Sequence, residues 1–547
     1  MATAPHSNEP LFRFNRDRNA VIDEVVERIT RDALQRAWDD PSDGLGYLLN
    51  EAAYVEMALH ESDPTSTKAD VEHWQRVAQS LGRSSEEENA ESLRAIVVRF
   101  THEIVGHFRP TVFKLATEMV PSGLSMLLNP LAKRGILSDT AGVSSLRDRL
   151  RIEGEVGKLR ALAEAGTLVF VPTHSSHLDS IAVSWAIHQA RLPAVVYGAA
   201  KNQFTHPLMA FFMANLGAYK VDRRRSYRLY NRVLKAYSQV LLERGYHSLF
   251  FPSGMRSRSH RVEQELKLGL LSTAVEAYAR NVVGRKSSRR IYIVPVTVNY
   301  PLVLEAETLI EDALAERLDR RPIIEDDEFS DVRRIASYAK ALLAGESSIV
   351  VRFCTPMDVF GNAVDQDGQS VDAERRRVDP ERYLWVRGEP AEDRERERAY
   401  TRQLAGRVSD AYRENNVVHP IHIVSMAVMQ HLRRQHATWD ERRLVRFARG
   451  ESVSSAVAEG ETERLARLLR RDHEDGTLRL SRRSQTLTAR QMIEEALKST
   501  TAFHSRPMLI AEGQRLRAES LELLLFYSNR LRGYDLIRRL RAVPGGY

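Results

Sequence analysis

Between residues 146 and 360 the sequence alternates short apolar runs, rich in β-branched residues, with longer segments of helical periodicity. This alternation constrains the fold most, because strands separated by helices form a parallel sheet that the helices cover. We predict an α/β domain with a mostly parallel sheet, flanked by helical N- and C-terminal regions. The expected strands are Thr167–Val171, Ala194–Tyr197, Ala218–Val221, Ser248–Phe251, Ile291–Asn299 and Ile349–Phe353. The expected helices between them are Ser180–Ala190, Pro207–Leu216, Tyr227–Arg244 and Gly269–Asn281.

The remainder of the chain divides into three regions. Residues 1–145 carry apolar residues at helical spacing. Within them, Thr111–Leu131 has an apolar face that fits either a buried helical hairpin or an element that contacts a membrane. Residues 361–395 are polar and rich in Asp, Gly and Arg, which predicts a linker. Residues 396–547 return to helical periodicity.

Composition excludes several classes of protein. A length of 547 residues exceeds one ordinary core and predicts several domains. With 43% hydrophobic and 28% charged residues, the chain is not of the intrinsically disordered class. The formal charge of +7 fits an anionic partner, but it does not distinguish nucleic acid, anionic lipid and phosphorylated small molecules. The chain has a single cysteine, Cys354, which excludes an intrachain disulfide. The sequence also lacks a Cys/His cluster that would predict a metal site.

The sequence also indicates how the protein is placed relative to a membrane. Residues 1–10 lack the basic and apolar regions of a secretory signal. No uninterrupted apolar stretch reaches the roughly 18 residues that a transmembrane helix needs. If the substrate is a lipid, we expect a peripheral protein that lies on the cytoplasmic face of a membrane without crossing it.

The first chemically informative segment follows the strand that ends at Pro172. His174 lies in the loop after this strand, and Asp179 opens the next helix. A carboxylate that accepts a hydrogen bond from one imidazole nitrogen orients the ring, so the other nitrogen can act as a general base toward a substrate hydroxyl. Two alternatives stay open: Asp179 is also a suitable helix cap, and His177 is a second candidate base.

A basic segment follows another apolar strand and begins at Ser253. Gly254 permits close approach of the backbone to a ligand. Arg256 and Arg258 carry forked donors that suit phosphate, with help from the hydroxyl of Ser257. This composition predicts an anion site, and a basic surface turn would share it.

Three consecutive arginines form the second basic segment. The strand that follows Gly217 delivers Arg223, Arg224 and Arg225 to its carboxyl end, where ligands of open α/β sheets bind. A solvated basic turn is again the alternative. A further apolar run contains Pro295, and a proline in a strand requires an edge, a bulge or a terminus.

In their order and spacing, these four segments resemble the four sequence blocks of the glycerolipid acyltransferases. The likeness is closest to the bacterial membrane-associated glycerol-3-phosphate acyltransferases and the related dihydroxyacetone-phosphate acyltransferases, and it is strongest over residues 145–360. The segments that carry it run from His174 to Asp179 (the H-x-x-x-x-D motif), from Gly217 to Arg224, from Pro252 to Ser259 and from Val294 to Val296.

Two positions depart from the family pattern. The third block usually carries a glutamate before the glycine, where this chain has Ser253. In the second block, Lys220 and Asp222 interrupt the usual order of aromatic, hydrophobic and two arginine residues. Because the family's glutamate is credited with holding the acceptor, Ser253 leaves the identity of the acceptor open. Glu305 and Glu307, beyond the fourth block, are candidates for a replacement carboxylate.

The resemblance implies a glycerol-3-phosphate 1-O-acyltransferase of phospholipid biosynthesis. The donor would be acyl-CoA or acyl-carrier protein, the acceptor glycerol 3-phosphate, and the place of action a membrane surface, with no metal and no further cofactor. His174 would be the base and Asp179 its orienting partner. The implied substrate-binding residues are Arg223, Arg224, Ser253, Gly254, Arg256, Ser257, Arg258 and Pro295.

Other functions remain alternatives to this one. The acceptor can instead be dihydroxyacetone phosphate, lysophosphatidate or a non-phosphorylated alcohol, and Ser253 also fits a non-catalytic lipid-binding homologue. A nucleic-acid-binding role is disfavoured, because the arginines are interspersed with acidic residues and no binding motif is present. A serine hydrolase is disfavoured because the G-x-S-x-G motif is missing.

Overall fold

A computed structural model describes residues 9–39, 44–63, 66–117, 149–201, 207–286, 290–316, 338 and 347–542. Its central strands are β1 (Leu150–Gly154), β2 (Thr167–Pro172), β3 (Val196–Ala200), β4 (Ala218–Val221), β5 (Ser248–Leu249), β6 (Ile291–Asn299) and β7 (Ile349–Phe353). They form one sheet in the spatial order β1-β7-β6-β2-β5-β3-β4. The strands from β6 to β4 in this order are parallel, while β7 is antiparallel to β6 and parallel to β1. The predicted fold class is confirmed.

The sheet separates two hydrophobic cores. Along β2, Leu168 and Phe170 belong to one core, and Val169 and Val171 belong to the other. Successive side chains of a strand point to opposite faces, so both faces of the sheet are covered. This is why the central strands read as continuous apolar runs rather than as alternating ones.

The edge strand β1, Leu150–Gly154, is not among the predicted strands. Its sequence includes Arg151 and Glu153, and among the described strands it pairs with β7 alone. Charged residues are common on edge strands, where one side of the strand has no ladder partner, so the apolar signal is weak there. Among the predicted strands, the run at 194–197 is also displaced, to Val196–Ala200.

The N-terminal helices pack beside the sheet. A 3₁₀ turn (Pro10–Arg13) precedes helices α1 (Phe14–Asp39), α2 (Leu45–Ser62), α3 (Lys68–Ser80) and α4 (Glu86–Ile104). Capping boxes at Thr67 and Ser85 explain where α3 and α4 begin. A buried ion pair of 2.8 Å between Arg28 Nη1 and Glu243 Oε1 ties α1 to the central domain. Residues 118–148 are not described, so most of the Thr111–Leu131 segment lies outside the described residues.

The helices of the central domain are α5 (Val156–Ala165), α6 (Asp179–Gln189), α7 (Pro207–Asn215), α8 (Arg228–Glu243), α9 (Leu268–Val283) and α10 (Ala306–Glu316). Helix α8 is strongly amphipathic and buries its apolar side against α1 and α4. Its Tyr230 ring lies 5.6 Å from the ring of Phe100 in α4. The predicted helices between the strands agree with these bounds to within two residues at each end.

The C-terminal third is mainly helical. Short hairpins precede it, pairing Ala363–Val364 with Ser370–Val371 and Trp385–Val386 with Glu389–Pro390. Its helices are α11 (Arg394–Glu414), α12 (Pro420–Gln435), α13 (Glu441–Phe447), α14 (Ser455–Glu474), α15 (Arg482–Thr486), α16 (Ala489–Phe503), α17 (Leu521–Ser528) and α18 (Leu536–Ala542). One small sheet contains the strands Ser452–Ser454, Leu509–Glu512 and Arg515–Ala518. A second one pairs Val417–Val418 with Arg479–Leu480. Over the described ranges, every helix is too short or too polar to cross a membrane.

Candidate active site

Four chain segments with reactive side chains leave the sheet at the same edge. The strands β2, β4, β5 and β6 are parallel, so their carboxyl ends lie together. His174 follows β2, Arg223 follows β4, Arg256 follows β5 and Glu305 follows β6. Ligands of open α/β sheets bind at this edge, which makes it the candidate site.

The ring of His174 contacts Asp179. Nδ1 of His174 lies 2.9 Å from Oδ2 of Asp179, and both side chains are buried. An ionised carboxylate only accepts hydrogen bonds, so Nδ1 carries the proton and Nε2 is left as the basic nitrogen. Nε2 makes no hydrogen bond to any residue within the described ranges.

Asp179 is held by further donors. Its Oδ2 accepts the backbone N–H groups of Ser175 at 2.6 Å and Ser176 at 2.8 Å, and its Oδ1 accepts the hydroxyl of Tyr300 at 2.7 Å. The carboxylate makes no capping bond to helix α6, whose N-cap position is Leu178. The helix-cap alternative for Asp179 is therefore not realised, and the carboxylate faces the histidine loop.

The backbone of His174 is held from both sides by one loop. Its N–H donates to Oε1 of Glu263 at 2.6 Å, and its carbonyl accepts the N–H of Ser257 at 2.7 Å. The imidazole also stacks on Phe251, with ring centroids 4.3 Å apart. The histidine loop and the loop after β5 thus form one connected unit.

Arg256 lines a cavity of about 310 Å³ together with Met255, Ser257, Arg258, Ser259, Arg261 and Ala313. Its Nη1 lies 3.5 Å from Oε1 of Glu305. Loss of hydration, followed by the nearby charge of Arg256, lowers the pKa of the Arg223 guanidinium. Arg223 has no hydrogen bond or ion pair with any residue that the structure describes. Two neighbouring cations that share no bridging carboxylate are an arrangement suited to a phosphate.

The other two arginines of the triplet have protein partners. Arg224 pairs with Asp222 at 3.4 Å and with Asp63 of the N-terminal region at 3.3 Å. Arg225 is buried, lies 2.8 Å from Glu56, and also pairs with Glu103. Of the three arginines, Arg223 therefore lies near Arg256, whereas Arg224 and Arg225 bind carboxylates of the N-terminal region.

The other predicted substrate-binding residues differ in their surroundings and in whether they line the cavity. The Ser253 hydroxyl is enclosed and makes no hydrogen bond within the described part of the chain. Gly254 has φ +72°, and a Cβ there would lie 2.8 Å from the Lys267 side chain, so a larger residue would be strained and crowded. The Ser257 hydroxyl donates to the Arg261 carbonyl at 3.0 Å. Pro295 is buried within β6, opposite Val171 of β2, and does not line the cavity.

Glu305 brings a carboxylate to the site. It is fully buried and accepts the Ser176 hydroxyl at 2.8 Å and the His177 N–H at 2.9 Å. Burial raises the pKa of Glu305 to about 7, against the opposing effect of Arg256. The other suggested carboxylate, Glu307, instead accepts hydrogen bonds from Ser505.

Sequence reasoning did not identify Tyr300, Glu263 or Phe251 as parts of this site. Tyr300 directly follows β6, the strand that contains the fourth block, which is a usable signal for a residue at the sheet edge. Glu263 lies in a polar stretch with three other charged residues nearby and has no distinguishing pattern. Over the described ranges, no group of three or more His, Cys, Asp or Glu residues is arranged to hold a metal ion.

The comparisons with known proteins agree with this site. Residues 154–299 match the sequence model of the family described as Acyltransferase. Glycerol-3-phosphate acyltransferases of Pseudoalteromonas atlantica, Histophilus somni and Haemophilus ducreyi are 28%, 33% and 34% identical over 190, 158 and 158 residues. These regions are 34%, 28% and 28% of this chain and 22%, 18% and 18% of the relatives, so the match spans about a fifth of the relatives' length.

Among solved structures, a 1-acyl-sn-glycerophosphate acyltransferase from Thermotoga maritima has a TM-score of 0.26 and 12% identity, covering 55% of this chain and 91% of its own.

The fold and the site define a domain of the O-acyltransferase class. The family resemblance recognised from the four blocks is confirmed over residues 154–299, which match the acyltransferase family model and resemble the glycerol-3-phosphate acyltransferases named above.

Proposed function

We propose that this protein is a glycerol-3-phosphate 1-O-acyltransferase that moves a fatty acyl group from acyl-CoA or acyl-carrier protein to glycerol 3-phosphate in phospholipid biosynthesis. The observation that carries the proposal is the placement of the His174–Asp179 pair beside Arg223 and Arg256 at one sheet edge. A base next to a phosphate site suits an acceptor that has both a hydroxyl and a phosphate group.

In this reaction, Nε2 of His174 takes the proton of the acceptor hydroxyl. The oxygen attacks the thioester carbonyl carbon, and the tetrahedral intermediate collapses with cleavage of the C–S bond. The leaving thiolate recovers the proton from the imidazolium ring. Asp179 stabilises this charged ring, as the carboxylate of a catalytic triad does. No covalent acyl-enzyme is required, since the acceptor itself is the nucleophile.

Arg223 and Arg256 hold the acceptor phosphate in this proposal. Glu305 limits the freedom of Arg256 through their 3.5 Å contact, so the guanidinium is oriented before the substrate arrives. Arg258 and Ser257 line the same cavity and extend the site. The donor carries a long acyl chain, so we propose that the protein acts at a membrane surface. We place it on the cytoplasmic face of that membrane, the side from which acyl thioesters are supplied.

The test is release of thiol from palmitoyl-CoA in vesicles, with and without glycerol 3-phosphate, for the native protein and for His174→Ala. The proposal expects acceptor-dependent release that falls by about 10²–10⁴-fold in the variant. Matched assays with dihydroxyacetone phosphate and lysophosphatidate identify another acceptor, if there is one. Binding of acyl-CoA without turnover on any acceptor or donor would contradict the proposal and favour the lipid-binding alternative that Ser253 suggests.

A further inference from the structure

Glu263 is the one acidic side chain of the loop after β5 that reaches the backbone of the candidate base. Its Oε1 accepts the His174 N–H at 2.6 Å, a short bond for an N–H donor. The N–H of Ser257, in the same loop, binds the carbonyl of His174 at 2.7 Å. The position of His174 along the sheet edge is therefore set by this loop as well as by Asp179.

The loop is itself well anchored. The N–H of Lys267 donates to the Pro252 carbonyl at 2.8 Å, which closes the loop at its base. The hydroxyl of Ser409, in helix α11, donates to the Glu263 carbonyl at 3.1 Å. An anchored loop can transmit a fixed position to His174, which a mobile one could not do.

The second oxygen of Glu263 is enclosed. Glu263 Oε2 and Ser253 Oγ are neighbouring atoms that are both shielded from solvent, and neither makes a hydrogen bond of normal geometry within the described part of the chain. Burial raises the pKa of Glu263 to about 8, and Asp179 raises it further. The His174 N–H, Arg530 and the Ser253 hydroxyl oppose this effect, and the phenol of Tyr412 is a further neighbour. A protonated carboxyl can donate to an enclosed oxygen, whereas an ionised one cannot.

We propose that Glu263 is a positioning residue for the reaction, which fixes the backbone of His174 so that its ring keeps its contacts with Asp179 and Phe251. The inference rests on the proposed function for the identity of the base. Glu263 acts through His174 and the loop, without contact to the substrate.

The expected consequences differ from those of general destabilisation. Removal of the carboxyl leaves the His174 N–H without its acceptor and frees the loop to shift. A displacement of about 1 Å at a reacting group costs on the order of 10²-fold in rate. We expect Glu263→Ala to lower kcat at least about tenfold, while the KM for palmitoyl-CoA stays within about twofold. Glu263→Gln keeps an oxygen that accepts the N–H and restores most of kcat.

The experiment compares Glu263→Ala, Glu263→Gln and Glu265→Ala. Glu265 is exposed and two residues away, so it controls for loss of a carboxylate from the same segment. Thiol release gives kcat and KM, and hydrogen–deuterium exchange of the peptide that contains the His174 amide gives an independent readout. Faster exchange in Glu263→Ala, with native exchange in the other two variants, is the expected result.

Native kcat in Glu263→Ala would overturn the inference, as would equal losses in the Ala and Gln variants. If the native protein turns over no acyl donor with any acceptor, the proposed function fails. The positioning role of Glu263 is then tested by hydrogen–deuterium exchange alone. Unchanged exchange of the His174 amide in Glu263→Ala would then overturn the positioning role, while faster exchange rescued by glutamine would retain it.

Discussion

Nδ1 of His174 and Oδ2 of Asp179 lie 2.9 Å apart, and the same carboxylate oxygen accepts two backbone N–H groups from the loop between them. The segment from His174 to Asp179 thus turns back on itself, so that the Asp179 carboxylate orients both the His174 ring and the loop that carries it.

Replacement of Asp179 by asparagine tests this double role. The amide nitrogen of Asn is a donor, so it opposes the N–H groups that Asp179 accepts and stabilises the wrong tautomer of His174. We expect kcat to fall by about 10²–10⁴-fold in the thiol-release assay. Tyr300→Phe removes only the donor to Oδ1 and is expected to lose about tenfold or less. Equal losses in both variants would contradict the orienting role of Asp179.

The arginine triplet gives a matched comparison. Arg223→Met removes a guanidinium that has no partner within the described residues, so we expect the KM for glycerol 3-phosphate to rise about 10–100-fold with kcat less affected. Arg224→Met removes a side chain that Asp63 and Asp222 already engage, so its effect on KM is expected to be about twofold. Steady-state kinetics with varied acceptor measure both, and a reversed order would show that the phosphate binds elsewhere.

Arg225 is expected to matter for stability and not for binding. Its buried pairs with Glu56 and Glu103 connect helices α2 and α4 to the segment after β4. Arg225→Met leaves a buried carboxylate without its cation, which costs about 3–5 kcal/mol in the free energy of unfolding. Guanidinium denaturation measures the loss, and the exposed Arg402→Met serves as the control. A loss below about 1 kcal/mol would show that the Arg225 pairs contribute little to the attachment of helices α2 and α4.

The raised pKa of Glu263 predicts a pH dependence of stability. The group has a pKa of about 8 in the folded protein and near 4.5 when unfolded, so the folded state binds more protons between these values. Relative to Glu263→Gln, the native protein should therefore lose stability as pH rises from about 4.5 to 8, by on the order of 5 kcal/mol in total. Unfolding curves at pH 5, 6.5 and 8 give this difference. A constant difference across the range would mean that the carboxyl is ionised throughout.

The local parts of the site were predictable. His174 lies in the loop after β2 and Asp179 opens helix α6 five residues later, so their spacing in sequence limits their distance in space. Arg223 and Arg256 were predictable for a related reason, because each follows an apolar run and parallel strands end at a common edge. The charged strand Leu150–Gly154 was missed because an edge strand needs no continuous apolar run.

Contacts between distant segments were not predictable. The contact of Glu263 with His174 joins positions 89 residues apart, and the pair of Arg224 with Asp63 joins positions 161 apart. No spacing rule connects such residues, since the path of the chain between them decides whether they meet. Arg223, Arg224 and Arg225 are alike in sequence, yet their partners give them separate roles.

The sequence by itself determined the alternation of strands and helices, the order of the four blocks and the residue types that the site contains. These follow from hydrophobic periodicity and from chemistry that acts over a few residues. Only the tertiary structure decided which arginine of the triplet has no partner among the described residues and which carboxyl groups contact the histidine loop. The physical reason is that the charge state and orientation of a side chain depend on the groups packed around it, and the fold brings those groups from separate parts of the chain.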